Sequence, residues 1–401
     1  MRTADLFARH VGPTSPWPPS LEVMRAQGCR LFGADGRTYL DFIAGIAVVN
    51  VGHCHPAVVE AVVLQARLYA HTMVYGEHLQ RPQAHLAARL AALAPPPLDA
   101  IYFLTTGAEA VDAALKLAVK ITGRSGLVAF EGAYHGDTVG ALACFGAANW
   151  RAPFASLLPP VEFLPFGDFA ALERITSATA GVIVEPVQGE GGIRVPPEGW
   201  LAALRAQCTR TGAQLIFDEI QTGIGRVGDW FAARRFGVTP DVLLVAKAVG
   251  GGMPLAGVMA PRDVLRRFAA EPPFAHITTF GGHPVSCAAG LAALGVIERE
   301  GLLDNAERMG ARLLDGLRVI AAAAPAGRVR DVRGVGLMIG VEHDSPATAR
   351  AIVERCRGGG LILETNLLSE STIRFSPPLI VTEVEVDEAL AVYRAAVMAT
   401  V

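Results

Sequence analysis

The chain has 401 residues, of which about half are apolar and 18% are charged, and its formal net charge is −3 at pH 7. The length exceeds a single minimal fold, and the composition is ordinary for a globular enzyme. There is no basic block, no apolar run of membrane-spanning length, and no apolar stretch of a signal peptide in Met1–Pro19. These features predict a cytoplasmic protein that binds neither nucleic acid nor membrane.

The cysteines and histidines do not suggest a structural framework. The six cysteines are scattered and include no Cys-x-x-Cys pair. The stretch His53-Cys54-His55 is followed by no second cluster of ligands. We therefore expect reduced, mostly buried thiols and no metal site.

Residues 1–50 are Pro-rich at first and then contain Gly28–Phe42, which the Asp35-Gly36 turn divides into two short predicted strands. Between residues 51 and 295, apolar runs of strand length alternate with helical patterns. The clearest strands are Ile101–Leu104, Leu127–Phe130, Gly181–Val184, Gln214–Phe217 and Val242–Ala246. The helical patterns are Ala108–Ile121, Trp200–Thr211 and Phe231–Phe236. This alternation predicts an α/β fold with a mostly parallel central sheet and helices on both of its faces.

After residue 295 the pattern changes to that of a smaller α+β unit. The predicted elements are a helix at Arg299–Ala324, a strand-like Val329–Val341, a helix at Ala347–Arg357, a strand pair leading to Ile373–Pro378, and a helix through Val386–Met398. We therefore predict a large domain over residues 51–295 and a small domain over residues 296–401, which residues 1–50 join.

Lysine is scarce, and one lysine has unusual surroundings. Only Lys116, Lys120 and Lys247 occur among the 35 basic residues. Lys247 follows the apolar run Val242–Ala246 and precedes Gly250–Gly252, which is the end of a buried strand and a costly place for an ordinary charge. We interpret Lys247 as a residue that is needed for its amine.

Polar side chains follow the neighbouring predicted strands. Asp218 follows Gln214–Phe217, Glu185 follows Gly181–Val184, and Thr105–Ala108 opens a helix after Ile101–Leu104. Ligands collect at the carboxyl ends of strands in such sheets. Pyridoxal phosphate requires an amine that forms an imine, a buried carboxylate that keeps the pyridine nitrogen protonated, and N–H groups at a helix start for its phosphate. The predicted strand ends offer all three.

Longer motifs carry a family resemblance along nearly the whole chain. They are Asp41–Val59, Thr105–Ala110 (TTGAEA), Tyr134–Gly136, Glu185–Gly192 (EPVQGEGG), Asp218–Gly225 (DEIQTGIG), Leu244–Leu255, Thr278–Pro284 (TTFGGHP) and Ile373–Leu379 (IRFSPPL). In this order and spacing they resemble the class III, or omega-amino-acid, aminotransferases of pyridoxal-phosphate fold type I. That family includes acetylornithine, ornithine and 4-aminobutyrate aminotransferases.

The resemblance implies a role for each matching residue in binding the cofactor. Lys247 would carry the Schiff base and transfer the proton, Asp218 would pair with the pyridinium nitrogen, and Tyr134 would stack on the ring. Gln221 would bind the ring hydroxyl. The remaining cofactor-binding candidates are Thr106, Gly107, Ala108, His135, Glu185 and Thr279.

The resemblance also implies an assembly and a substrate switch. Thr279 would reach the phosphate of the neighbouring subunit, so the protein would be a homodimer with shared active sites. Glu190 and Arg374 would form the pair by which such enzymes alternate between an amine and a substrate carboxylate.

Three positions depart from the family pattern. Thr106 stands where the family usually has Ser, and His283 where it usually has Asn. Asp137 stands where many members have an arginine that binds a carboxylate. Since a carboxylate repels another carboxylate, that contact is missing or supplied elsewhere, and ornithine-like, lysine-like, 4-aminobutyrate-like and diamine donors all stay open.

Three functions are compatible with these residues. The first is an aminotransferase that moves an amino group from an amine or omega-amino acid to a 2-oxo acid, such as 2-oxoglutarate or pyruvate, by a ping-pong mechanism. The second is a racemase, aminomutase or decarboxylase that uses the same cofactor, since fold does not determine function. The third is a non-catalytic regulator that binds the cofactor. The Glu190/Arg374 pair favours the first, because only ping-pong transfer needs one pocket for two different substrates in turn.

Overall fold

The structure is a computed structural model, and it describes residues 3–18 and 21–400. Met1, Arg2, Pro19, Ser20 and Val401 lie outside the described residues, and so does that part of the predicted Pro-rich N-terminal segment. Within the described ranges, no helix is both long and apolar enough to cross a membrane.

The central sheet has seven strands. Their spatial order is Ala100–Leu104, Ala256–Ala260, Val242–Val245, Gln214–Asp218, Thr179–Val184, Gly126–Phe130 and Glu162–Leu164. The last five pair in parallel, and Ala256–Ala260 alone runs antiparallel to both of its neighbours. The predicted α/β class with a mostly parallel sheet is confirmed, and all five predicted strands are present.

Two strands of this sheet were not predicted. Glu162–Leu164 has three residues and lies at the sheet edge. Ala256–Ala260 (AGVMA) is fully buried but consists mainly of small residues that have a low strand propensity. Strand Ala256–Ala260 forms only through pairing with Ala100–Leu104 and Val242–Val245, which its own sequence does not reveal.

The helices of the described residues include a counterpart of each of the six predicted ones. They are Thr3–His10, Pro56–Leu68, Arg81–Leu93, Gly107–Thr122, Val139–Ala143, Ala148–Arg151, Trp200–Thr211, Ala232–Arg235, Arg262–Leu265, Pro284–Arg299, Leu302–Ala323, Pro346–Gly358 and Glu383–Ala399. The longer helices Pro56–Leu68, Arg81–Leu93 and Pro284–Arg299 were not predicted, and neither were the short ones Thr3–His10, Val139–Ala143, Ala148–Arg151 and Arg262–Leu265. The predicted helix Arg299–Ala324 begins at Leu302 in the structure. It is separated from the preceding helix, which ends at Arg299, by Gly301 in the left-handed conformation with φ 63°.

Two four-stranded sheets accompany the central one. The first consists of Val23–Gln27, Arg30–Gly33, Thr38–Asp41 and Leu361–Ile362, and the second of Val329–Val335, Met338–His343, Thr372–Phe375 and Glu364–Thr365. The predicted turn at Asp35-Gly36 joins two antiparallel strands. Leu361–Ile362 pairs in parallel with Leu40–Asp41 and so connects the N-terminal segment to the C-terminal part of the chain. The domain limits themselves remain a prediction.

The core of the large sheet positions the candidate residues. Every residue of Thr179–Val184, Val242–Val245 and Ala256–Ala260 is buried. Helix Gly107–Thr122 packs an alanine-rich face against the sheet and ends at Gly123 in the left-handed conformation. Because these strands cannot shift without exposing apolar surface, the carboxyl ends of the parallel strands form a rigid edge.

Candidate functional site

A cavity of about 650 Å³ opens at the carboxyl ends of the central strands. Ten of the twelve predicted site residues line it: Thr106, Gly107, Ala108, Tyr134, His135, Glu185, Glu190, Asp218, Gln221 and Lys247. The other two are placed differently. Arg374 contacts the cavity residue Glu190, whereas Thr279 is exposed and does not line the cavity within this chain.

The start of helix Gly107–Thr122 offers free N–H groups to the cavity. The Thr106 hydroxyl accepts from Glu109 N at 3.3 Å, and the Glu109 carboxylate accepts from Thr106 N at 3.1 Å, which forms a capping box. The N–H groups of Gly107 and Ala108 have no intrahelical acceptor. Gly136 passes so close that a Cβ there would lie 2.6 Å from Ala108 Cβ. The two free donors at the positive end of a 16-residue helix suit a phosphate.

Lys247 lies two residues beyond strand Val242–Val245, at the start of a 3₁₀ turn. Its φ of 48° is in the left-handed region, which costs a residue with a Cβ about 1–2 kcal/mol. Although part of the residue faces the cavity, the surrounding protein removes much of its hydration. This burial lowers the pKa of the Lys247 amine, and the Glu190 carboxylate offsets the effect only in part. A depressed pKa makes the amine available as a nucleophile and base.

Asp218 and His135 form a buried pair on the floor of the cavity. Asp218 Oδ2 lies 2.6 Å from His135 Nδ1, and Oδ1 accepts from Ile220 N at 3.0 Å. Burial by itself lowers the pKa of His135, but the hydrogen bond and charge of Asp218, with the charge of Glu185, outweigh it and raise the pKa. The His135 imidazole and Ile220 N each contact one oxygen of Asp218, so this buried carboxylate is held in one orientation. Asp218 therefore suits a protonated ring nitrogen.

Glu185 connects two other parts of the cavity wall. Its two carboxylate oxygens accept from Tyr134 N at 3.1 Å and from Gly189 N at 2.9 Å. Burial raises the pKa of Glu185 to about 7, against the charge of His135, which lowers it. Glu185 therefore positions the Tyr134 loop and the loop that carries Glu190.

Tyr134 presents a half-buried ring to the cavity. The ring packs edge-on against Phe145, with centroids 5.3 Å apart, and its hydroxyl donates to Asp137 Oδ2 at 2.7 Å. Burial, together with the hydrogen bond to Asp137, raises the pKa of the Tyr134 hydroxyl. The hydroxyl is therefore a neutral donor, and the ring face is held in one orientation.

Glu190 and Arg374 form a bidentate pair, although they are 184 residues apart in the sequence. Both N···O distances are 2.6 Å, and the two residues are 6% and 4% exposed. Burial raises the pKa of Glu190, but the charge and hydrogen bonds of Arg374 outweigh it and hold the pKa below its usual value. The Nε–H of Arg374 is buried and has no acceptor among the described residues.

The structure adds residues that the sequence did not single out. Leu367 N donates to Glu190 Oε2 at 2.9 Å, Leu368 N donates to Glu190 O at 3.0 Å, and Asn366 Nδ2 donates to Gly189 O at 2.7 Å. These contacts hold the Glu190 loop against the C-terminal part of the chain. No local pattern marks Asn366, because its role depends on a segment that is far away in the sequence.

Gln221 lies beside the Glu190 loop at the cavity. A Cβ added to Gly189 would lie 2.5 Å from Gln221 Oε1, so the glycine allows this close approach. Among the described residues, no group of three His, Cys, Asp or Glu side chains could hold a metal ion. The chemistry of the cavity is therefore that of an amine, paired carboxylates and an anion-binding helix start.

Comparisons with known proteins agree with this arrangement. Residues 13–397 match the family profile described as aminotransferase class-III. The chain is 41% identical to the acetylornithine aminotransferase of Methanopyrus kandleri over 95% of each chain, and 42% identical to that of Methanosarcina acetivorans over 92% of this chain and 89% of the other.

Solved structures of transaminases share the fold. An ornithine aminotransferase from Toxoplasma gondii ME49 superimposes with a TM-score of 0.92 and 30% identity over 100% of this chain and 96% of that chain. An (S)-enantioselective omega-transaminase from Thermomicrobium roseum gives a TM-score of 0.90 and 32% identity over 98% and 97% of the two chains.

The residues of the cavity fit the cofactor of this family. The free N–H groups of Gly107 and Ala108 suit its phosphate, buried Asp218 suits its ring nitrogen, and the Lys247 amine suits its aldehyde. This chain belongs to the class III aminotransferases, which depend on pyridoxal 5'-phosphate.

Proposed function

We propose that this enzyme moves an amino group from an omega-amino acid, diamine or amine to a 2-oxo acid, such as 2-oxoglutarate or pyruvate, in two half-reactions that share one pocket. The observation that carries the proposal is the buried bidentate pair of Glu190 and Arg374 at the cavity. The relatives named acetylornithine and ornithine aminotransferase support a donor whose reacting amine is terminal.

Lys247 and Asp218 carry the chemistry in this proposal. The bound cofactor supplies an electron sink that stabilises negative charge on the reacting carbon. Lys247 Nζ would bind the cofactor and would also take the proton from the donor carbon, a role that its depressed pKa favours. Asp218 would hold the proton on the ring nitrogen, and the His135 imidazole orients the Asp218 carboxylate.

The remaining wall residues bind and orient the cofactor. The N–H groups of Gly107 and Ala108 and the Thr106 hydroxyl hold the phosphate, Tyr134 covers one ring face, and Gln221 binds the ring hydroxyl. We further propose that Thr279 completes the phosphate site of a second subunit in a homodimer. Its exposure and its distance from the cavity of its own chain support this assignment.

Glu190 and Arg374 let one pocket accept two kinds of substrate. With an amine donor the pair stays closed, and the two charges neutralise each other. With a 2-oxo acid, the substrate carboxylate replaces Glu190 on the Arg374 guanidinium, so the number of buried charge pairs stays constant. Glu190 keeps its hydrogen bond from Leu367 N, which stabilises the carboxylate after it leaves the arginine.

The visible spectrum of the purified enzyme with bound cofactor tests the proposal. We expect a yellow band that bleaches on addition of a terminal amine donor and returns on addition of 2-oxoglutarate or pyruvate. Lys247→Ala is the control, because it retains the cavity but lacks the amine and should show neither change. A band that no amine donor and no amino acid bleaches would contradict transfer and favour a racemase or decarboxylase.

A further inference from the structure

Asp137 is an unpaired carboxylate in the wall of the active-site cavity. It lines the same cavity as Lys247, and it is exposed, whereas Asp218 and Glu190 are buried. Its Oδ2 accepts from the Tyr134 hydroxyl at 2.7 Å. Among the described residues, no arginine, lysine or histidine forms an ion pair with it, so its charge is not neutralised.

The other carboxylates of the cavity have charged partners or fixed donors. Glu190 pairs with Arg374, Asp218 lies against His135, and the Glu185 oxygens accept two backbone N–H groups. Because the Tyr134 hydroxyl is neutral, it orients Asp137 without cancelling its charge. Among the described carboxylates that line the cavity, Asp137 is therefore the one that offers a ligand an oxygen without a hydrogen-bond donor and a charge without a paired cation.

Asp137 lies where the far end of a bound substrate would be, because it lines the cavity and is exposed. The reacting amine must reach Lys247, whose surroundings are desolvated, while exposed Asp137 lies toward solvent. The apolar residues Val48, Met253 and Leu255 line the same cavity. A donor with a methylene chain would place its chain along this wall and its distal group near Asp137.

We propose that Asp137 makes this enzyme select amino donors that carry a second positive charge at the end away from the reacting amine, as a terminal diamine does. The inference rests on the proposed function and names its donor class. A distal carboxylate would meet a like charge, whereas a distal ammonium would complete an ion pair.

Three donors of one chain length isolate this effect. Pentylamine, 1,5-diaminopentane and 5-aminopentanoate share the reacting amine and differ in the charge of the distal group. With the holoenzyme, we expect kcat/KM for bleaching of the yellow band to be about fivefold higher for the diamine than for pentylamine, the effect of one partly exposed ion pair, and lowest for 5-aminopentanoate. The preference should shrink as the ionic strength rises, because salt screens exposed charges.

Two substitutions at the same position test the residue itself. Asp137→Asn should reduce the preference for the diamine over pentylamine to below about twofold and remove its salt dependence, because the amide keeps the shape but not the charge. Asp137→Arg should reverse the order, so that 5-aminopentanoate becomes the best of the three donors. Glu198→Gln is the matched control, since Glu198 is exposed and does not line the cavity, and it should keep the wild-type order.

The outcomes separate this inference from the proposed function. A wild-type preference for 5-aminopentanoate, or an order that Asp137→Asn leaves unchanged, would overturn the role of Asp137. Bleaching by glutamate but by none of the three donors would also overturn it, while leaving the amino-transfer function in place. Bleaching by no amino compound at all would overturn the proposed function, and the inference with it.

Discussion

Replacing Glu190 with glutamine should impair the two half-reactions unequally. Glu190→Gln keeps the size of the side chain but removes its charge, while Arg374 stays buried at 4% exposure. Breaking a buried pair by removing one charge costs about 3–5 kcal/mol, and the remaining amide oxygen recovers about 1 kcal/mol as a hydrogen-bond acceptor. We therefore expect the free energy of unfolding to fall by about 2–4 kcal/mol.

The kinetic consequence follows from the same uncompensated charge. A protonated amine donor would enter a pocket with an unpaired guanidinium, so kcat/KM for the donor should fall by about 30- to 100-fold, which corresponds to about 2–3 kcal/mol. A glutamate or 2-oxoglutarate carboxylate neutralises Arg374 directly and no longer has to displace Glu190. That half-reaction should change by less than about fivefold.

Stopped-flow absorbance of the bound cofactor measures each half-reaction separately, and thermal unfolding measures stability. Asp387→Asn provides a matched control, because Asp387 forms a bidentate pair with Arg312 at 2.9 and 2.7 Å on the surface. It should leave the ratio of the two half-reactions and the melting temperature close to wild type. Equal losses in both half-reactions of Glu190→Gln would refute the switch.

Three further predictions concern the cavity floor and the assembly. Asp218→Asn should retain the cofactor and lower kcat by about 10²- to 10³-fold. It should also lower the pKa of His135, because Asp218 helps to raise that pKa. Kinetics measure the first effect and an NMR titration the second, and an unchanged kcat would count against the proposed role of Asp218. The melting temperature of Glu185→Gln should increase relative to that of the wild type as the pH rises from about 4.5 to 7. The reason is that the raised pKa makes folded wild type bind more protons and lose stability as pH rises through this window; a difference that does not vary with pH would contradict it. Mixing inactive Lys247→Ala with impaired Thr279→Ala subunits should restore activity, since a heterodimer then contains one intact site; no gain on mixing would place Thr279 in its own subunit's site or outside any site.

The candidate catalytic positions could be predicted from the sequence because they follow local patterns. A buried strand is a short apolar run, and the first polar residue after it marks the strand's carboxyl end, as Asp218 and Lys247 do. Thr106 and Glu109 mark a helix start by their spacing alone. Strand Ala256–Ala260 escaped prediction because pairing on both sides, rather than its own propensity, stabilises it.

The contacts around Glu190 depend on segments that are far apart in the chain. Glu190 forms hydrogen bonds with Arg374, Leu367 and Leu368, and Asn366 donates to the neighbouring Gly189 O. These contacts form because the C-terminal part of the chain packs against the loop that carries Glu190. No spacing rule predicts such contacts.

The sequence by itself determined the α/β class and singled out Lys247, Asp218 and the helix start at Gly107, because strand burial and helix capping are properties of neighbouring residues and lysine scarcity is a property of the composition. Only the tertiary structure decided that the Glu190/Arg374 pair is bidentate and buried, that Asp137 is oriented by Tyr134 yet has no ion-pair partner among the described residues, and that Thr279 does not line the cavity of its own chain. Charge neutralisation depends on distances across the fold, and those distances arise from packing rather than from the order of residues.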